Sequence, residues 1–313
     1  MNKYAPVVIF CYRRKIDKLI ETLRNNHESE ETELFIYSDG FKSYKDKDDV
    51  INVRKGLKKI FGFKLVHIIE SNRNKGLANS IIDGVTEVIK KFDRAIVLED
   101  DLIISKYFLN FMNRSLNQFK ESKDIWSISG YSPKIPYLQS YQKEVYLSLR
   151  SSSWGWATWL DRWRKVDWLL SDFDNLKKDK KKIKNFELGG NDMFKMLELQ
   201  YLGKIDSWAI RWCYSQFLNS SYSVTPKISM TQNNGFDDNL GIHNLSSDSR
   251  WKVDLSKSKI NNIEASFDTK IINNFKKYHD MSFYNRCGYF LRKRGGYNLV
   301  KTFISKLKLR SII

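Results

Sequence analysis

Arg94-Ala-Ile-Val-Leu-Glu-Asp-Asp-Leu-Ile103 is the stretch from which the rest of this 313-residue chain is read. A short apolar run, Ala95 to Leu98, stops at three acids, Glu99, Asp100 and Asp101. Its length, β-branching and charged flanks read as a buried strand. Adjacent carboxylates at a strand end repel one another, and they are costly there unless positive charge sits among them. A hard divalent cation such as Mg2+ or Mn2+ answers that need. A solvated acidic loop is the equally simple alternative.

Working upstream, three more apolar runs alternate with helical periodicity. Val7 to Phe10 stops at Cys11-Tyr-Arg-Arg14, and Ile16, Leu19, Ile20 and Leu23 follow at helical spacing. Leu34 to Tyr37 stops at Ser38-Asp39-Gly40, and the charged segment Asp46 to Ile60 reads as helix. Lys64 to Ile69 stops at Glu70-Ser-Asn-Arg-Asn-Lys-Gly76, and a helix then carries Ile81, Ile82, Val85, Val88 and Ile89 on one face. Such alternation predicts an α/β fold: a mostly parallel central sheet with helices on both faces. Right-handed crossovers put every strand's C-terminal end on one edge, where open α/β sheets bind ligands. Arg13, Arg14, Asp39, Asn74, Lys75, Glu99, Asp100 and Asp101 therefore converge on one crevice. No Gly-x-Gly-x-x-Gly or Gly-Lys-Ser/Thr loop follows the first strand, which argues against a dinucleotide site or a P-loop.

Downstream, Leu109, Met112 and Leu116 suggest a helix, Trp126 to Gly130 a strand and turn, and Tyr146 to Leu149 a strand. Ser151-Ser-Ser-Trp-Gly-Trp-Ala-Thr-Trp159 follows, with Trp154 and Trp156 flanking a glycine. Such rings serve either as core or as stacking faces for sugars. Lys177 to Lys184 reads as a solvated basic helix face. In Gly203-Lys-Ile-Asp-Ser-Trp208, Asp206 beside Trp208 is either a general base in an aromatic pocket or a helix cap. Thr225 to Ser229 reads as a strand. Asn233 to His243 reads as a glycine-punctuated loop in which His243 is a cation ligand, a phosphate contact or a surface residue.

The formal net charge of +18 implies an anionic partner without choosing among phosphates, nucleic acid and membrane. Three scattered cysteines, Cys11, Cys213 and Cys287, fit a reducing compartment. No apolar run is long enough for a signal peptide or a membrane span, so the expected location is cytoplasmic, at or near the inner membrane face. From Tyr284 to Ile313 the chain has no acid, and Tyr297, Val300, Phe303, Ile304 and Leu307 fall between its bases at helical spacing. Either a membrane-surface helix or a packed terminal helix fits this pattern.

The ordered set resembles the GT-A glycosyltransferases. Leu98-Glu-Asp-Asp-Leu102 is similar to their Asp-x-Asp-type motif, in the Glu-Asp-Asp form of N-acetylglucosaminyltransferase I. Phe10-Cys-Tyr-Arg13 and Tyr37-Ser-Asp-Gly40 resemble the first two strand ends, and Asn72 to Ala78 resembles a stretch of bacterial family-2-like transferases. Ser153-Trp-Gly-Trp156 resembles the acceptor-side segment, Ile205-Asp-Ser-Trp208 the segment of the catalytic aspartate, and Pro226 to Ser229 with Gly241-Ile-His243 the elements closing over the nucleotide. The resemblance covers about residues 6 to 245. It implies a catalytic domain over 1–245 and leaves 246–313 as a basic helical extension.

It also implies inverting transfer from a nucleoside-diphosphate sugar, UDP in the first instance, with Mn2+ or Mg2+. The transferred group would be a hexosyl or N-acetylhexosaminyl unit, the acceptor a glycan or lipid-linked glycan of a bacterial surface polysaccharide. Asp101 would ligate the metal, Asp100 would lie near the ribose, and Glu99 near the donor sugar. Arg13 and Asp39 would border the base, with Asn74, Lys75 and His243 also on the nucleotide side. Trp154, Trp156 and Trp208 would stack on the acceptor. Asp206 would be the base. Where the animal enzyme has paired aspartates before its tryptophan, this chain has Asp206-Ser207, which leaves Asp192 as a rival. Two other classes compete: a nucleotidyltransferase, which would want a glycine-rich phosphate loop, and a non-catalytic carbohydrate- or nucleic-acid-binding protein. No nucleic-acid-binding motif is present, so no nucleic-acid partner is expected.

Overall fold

The structure, a computed structural model, describes residues 3–235 and 251–294. Ten strands occur there: β1 Val7–Cys11, β2 Glu33–Ser38, β3 Leu65–Glu70, β4 Arg94–Glu99, β5 Leu102–Ile104, β6 Ile125–Ser129, β7 Val145–Ser148, β8 Trp156–Trp159, β9 Tyr222–Pro226 and β10 Thr231–Asn233. Eight of them form one sheet in the order β3-β2-β1-β4-β8-β6-β9-β7, while β5 pairs with β10 apart from it. The half β3-β2-β1-β4 is wholly parallel. Beyond it β8 runs antiparallel between β4 and β6, β6 and β9 are parallel, and β7 closes the edge antiparallel. The expected α/β architecture is thus present, with helices on both sheet faces.

The two faces are covered by different chemistry. Leu19, Ile20 and Leu23 of helix Asp17–Arg24 and Leu109, Met112 and Leu116 of helix Phe108–Gln118 pack beneath Val7, Ile9, Ile96 and Leu98. On the other face, Ile81, Val85, Val88 and Ile89 of helix Leu77–Phe92 meet Val8, Phe10, Ala95 and Val97. Alternate residues of β1 and β4 thus serve opposite layers, as the two-residue strand period requires. A tryptophan cluster extends the second layer: Trp126, Trp156, Trp163, Trp208 and Trp212 are linked by a chain of ring contacts centred on Trp156 and Trp212.

Two elements depart from the sequence reading. The sequence reading places no strand in the tryptophan-dense stretch, but Trp156–Trp159 is the buried strand β8, inserted at the middle of the sheet. The strand expected over Thr225 to Ser229 is displaced upstream to Tyr222–Pro226, and the chain bends before re-entering as β10. Residues 251–294 pack onto the same unit. Ile260 and Ile263 enter the first core layer, while Ile271 and Phe275 of helix Thr269–His279 meet Ile135, Leu138 and Tyr146. Glu144 fixes this segment by accepting the Asn261 and Asn262 N–H groups at 3.0 and 2.7 Å. No helix among the described residues is long and apolar enough to cross a membrane.

Candidate active site

The C-terminal ends of β1, β2 and β4, with the loop after β3, open into one cleft of about 1,090 Å3. Its acidic wall is the end of β4. Arg14, carried just past β1, places Nη1 3.2 Å from Asp100 Oδ1 and 3.6 Å from Asp101 Oδ2. The Tyr12 N–H donates to Asp100 at 3.2 Å. Asn233, at the end of β10, donates to Asp101 Oδ2 at 2.8 Å, and the Asn234 N–H donates to the Asp101 carbonyl at 2.7 Å. Gly235 completes this approach: a Cβ there would stand 2.9 Å from Asp101 Oδ2. No hydrogen-bond donor among the described residues reaches the Glu99 carboxyl.

Electrostatics at this wall are unbalanced. Burial, then repulsion from Asp101, pushes the Asp100 carboxyl up to about 7, although Arg14 and the Tyr12 N–H act the other way. Burial and both aspartates raise Glu99 well above the usual carboxylate range. Burial, with Asp100 nearby, pushes the Cys11 thiol up to about 12, so Cys11 is an inert wall residue. Three carboxylates facing chiefly one guanidinium are a site short of positive charge. Among the described residues no three His, Cys, Asp or Glu side chains form a cage holding a cation by themselves. Mg2+-type ions commonly take one or two carboxylates and complete their shell with substrate phosphates and water. The donor set present fits an ion of that kind.

A further part of the cleft wall is built around Asp39. Its carboxylate accepts the N–H groups of Gly40, Lys75 and Gly76 at 2.9 to 3.1 Å, tying the loop after β3 to the end of β2. Asn74 donates to the Gly40 carbonyl at 2.7 Å. Arg13 pairs with Asp46 at 2.7 Å and lines the cleft with Lys42. Lys75 departs from expectation: its ammonium pairs with Asp83 at 2.9 Å on the exposed side of the helix and is not part of the cleft lining.

Asp206 also lines the cleft. Helix Trp208–Leu218 is capped by Ser207, whose hydroxyl accepts the Ile210 N–H, so the capping alternative falls to its neighbour. Asp206 is left with its side chain 58% exposed in the cleft, Oδ1 3.6 Å from Arg211 Nη2. Gly76, at φ +78°, lies next to it: a Cβ there would stand 3.6 Å from Asp206 Oδ2. Asp192, the rival base, lies outside the cleft lining. It is held by Arg150 through two hydrogen bonds, at 2.7 and 2.9 Å.

Of the three expected stacking rings, Trp154 is half-buried and lines the cleft. Trp156 is corrected outright: at 1% exposure it is core, between Trp163 and Trp208. Trp208 borders the cleft but is 3% exposed, so it supports the wall without offering a face. His243 lies outside the described residues, as do Gly241 and everything after residue 294. Sequence reasoning passed over Lys42, Met196, Lys204, Asn233 and Arg292, all of which line the cleft. Asn233 arrives only through the β5–β10 pairing, and Arg292 through helix Phe283–Lys293. Neither has a local sequence signal.

No protein-family model matches this chain, and no curated protein matches it either. Among solved structures it is similar to residues 1–349 of S. aureus TarS, at 9% identity and a TM-score of 0.40, over 74% of this chain and 60% of that one. The same fragment in complex with UDP-GlcNAc gives 9% identity and a TM-score of 0.39, over 73% and 57%. The chain thus spans about three-fifths of the length of the structures it matches.

Proposed function

We propose that this protein is a metal-dependent, inverting glycosyltransferase of GT-A type, moving a hexosyl or N-acetylhexosaminyl unit from a nucleoside-diphosphate sugar, with UDP the first choice, to a hydroxyl of a bacterial surface glycan. The observation that carries this reading is one cleft with two acidic stations. A charge-deficient carboxylate cluster with Arg14 and the exposed Asp206 carboxylate both line it. Arg13 and Lys42 border the nucleotide side; Arg13 is paired with Asp46, so the positive charge that favours an anionic diphosphate there comes from Lys42.

Asp101, with Asp100 beside it, would hold a Mn2+ or Mg2+ ion, which when bound neutralises charge on the departing diphosphate. Asp206 acts on the acceptor. As the acceptor hydroxyl oxygen bonds to the anomeric carbon, its proton passes to the Asp206 carboxylate. The bond from that carbon to the diphosphate oxygen breaks, its electron pair leaving with the nucleotide. Attack from the face opposite the leaving group inverts the configuration and needs only this one base. Arg14 contributes positive charge on the diphosphate side. The acid-free segment 284–313 would rest on an anionic membrane carrying a lipid-linked acceptor.

A panel of nucleoside-diphosphate sugars tests the reading through thermal stabilisation and slow nucleotide release with Mn2+ or Mg2+. At least one donor is expected to stabilise the protein only when the metal is present. Failure of every donor to bind would reject it.

A further inference from the structure

The turn Gly203-Lys-Ile-Asp-Ser207 brings two charged residues into the cleft, Lys204 and Asp206. Its backbone is held at both ends. Gly203, at φ +64°, takes the left-handed conformation that ends helix Met193–Tyr201. The Gly203 N–H donates to the Gln200 carbonyl at 3.0 Å, and the Lys204 N–H donates to the Leu199 carbonyl at 2.8 Å, which is the Schellman pattern. The Gln200 side-chain carbonyl accepts the Ser207 N–H at 2.6 Å, and Ser207 in turn caps the next helix. Lys204 and Asp206 therefore enter the cleft from one fixed backbone.

Most of the positive charge in the cleft is already engaged. Arg13 pairs with Asp46, Arg14 with Asp100 and Asp101, and Arg292 also has a partner. Lys42 and Lys204 differ: both are exposed, and no group among the described residues engages either ammonium. They sit on different segments. Lys42 belongs to the loop after β2, where its backbone N–H donates to the Tyr12 hydroxyl at 2.9 Å. Lys204 belongs to the turn of Asp206 but does not pair with it, since the cation beside that carboxylate is Arg211, at 3.6 Å. A lysine ammonium is a compact point charge that suits a phosphate or a carboxylate.

We infer that the acceptor carries an anionic group, a phosphate or a carboxylate, close to the hydroxyl it presents to Asp206, and that Lys204 reads that group. The inference rests on the glycosyl-transfer reading and names the acceptor class for it. The diphosphate belongs with the carboxylate cluster and its cation, whereas Lys204 arrives on the turn of the base and so serves the acceptor. An anionic acceptor also suits a chain of formal net charge +18. Lys204 contacts the acceptor without moving its proton, so its loss acts on acceptor KM and spares kcat.

The test uses the full chain with Mn2+ and the tightest-binding of UDP, GDP, CDP and ADP, so that the diphosphate position is filled. Saturation-transfer NMR then compares methyl glucoside 6-phosphate, methyl glucuronide and neutral methyl glucoside. At least one anionic probe is expected to bind more tightly than methyl glucoside, and the two anionic arms tell phosphate from carboxylate. Lys204→Gln should weaken that probe roughly three- to tenfold, between the worth of an exposed ion pair and that of a hydrogen bond to a charged group. Lys204→Arg should retain most of the affinity, and added salt should erase the preference. Nucleotide affinity should be unchanged in both variants. Anionic probes that bind no better than methyl glucoside, or bind Lys204→Gln as well as wild type, would overturn the inference alone. Loss of nucleotide affinity in Lys204→Gln with the anionic probes unaffected would also overturn it, by placing Lys204 on the donor. Absence of binding by all four diphosphates would overturn the transfer reading beneath it.

Discussion

Asp206 and Asp192 are separated by what holds them. Asp192 is locked to the half-buried Arg150, whereas Asp206 stands exposed in the cleft with only a 3.6 Å approach from Arg211. Asp206→Asn should leave nucleotide affinity within twofold of wild type and lower turnover by about 10²–10⁴, the usual worth of a positioned base. Asp192→Asn should act on stability instead. Leaving Arg150 without its carboxylate costs on the order of 3 kcal/mol, readable as a lower urea midpoint. Turnover collapse in Asp192→Asn at unchanged stability would reverse the two roles. The sequence made both residues visible as acids near helix starts. It did not distinguish them, because Arg150 reaches Asp192 from 42 positions away.

At the scale of elements, the strand ends were legible and the tryptophan strand was not. Val7–Cys11, Glu33–Ser38, Leu65–Glu70 and Arg94–Glu99 each combine an apolar run with an abrupt polar stop, which is a local signal. Trp156–Trp159 gives no local strand signal because its pairing with β4 and β6 is set by contacts far off in sequence. Trp156→Ala should therefore destabilise by about 3–5 kcal/mol, as large core truncations do. An unchanged melting temperature would return Trp156 to the crevice. Helix Phe283–Lys293 was read from its bases, but its anchor lies elsewhere. Buried Glu198 accepts from the Tyr289 hydroxyl and from Lys293 at 2.9 Å. Burial would raise Glu198, but these two donors outweigh it and hold the carboxyl below its ordinary value. Glu198→Gln should increase amide exchange in 283–293 and leave exchange in β1 and β4 unchanged.

For the whole molecule, the parallel half of the sheet and the polar edge at its strand ends followed from alternation alone. The mixed half and the packing of 251–294 did not, since β8, β5 and β10 are too short to carry periodicity. The convergence of charge on that edge has a titration consequence. Asp100 binds its proton more tightly folded than unfolded, so its contribution to stability is complete below pH 4 and is lost as pH rises towards 7. In metal-free protein this carboxyl should lower stability by on the order of 1 kcal/mol per pH unit across that window. Asp100→Asn should flatten the profile there, and an unaltered profile would show that Asp100 titrates normally. Glu198 has the opposite sign, since its contribution is present above its unfolded value and is lost as pH falls through the folded one.

Calorimetric titration of a nucleoside diphosphate into wild type and Asp101→Ala, with and without Mn2+, tests the carboxylate cluster most directly. Tight binding to wild type only with Mn2+, and weak binding to Asp101→Ala under both conditions, is the expected result. Equal affinity in both proteins, or affinity indifferent to Mn2+, would contradict a cation-held diphosphate at the end of β4.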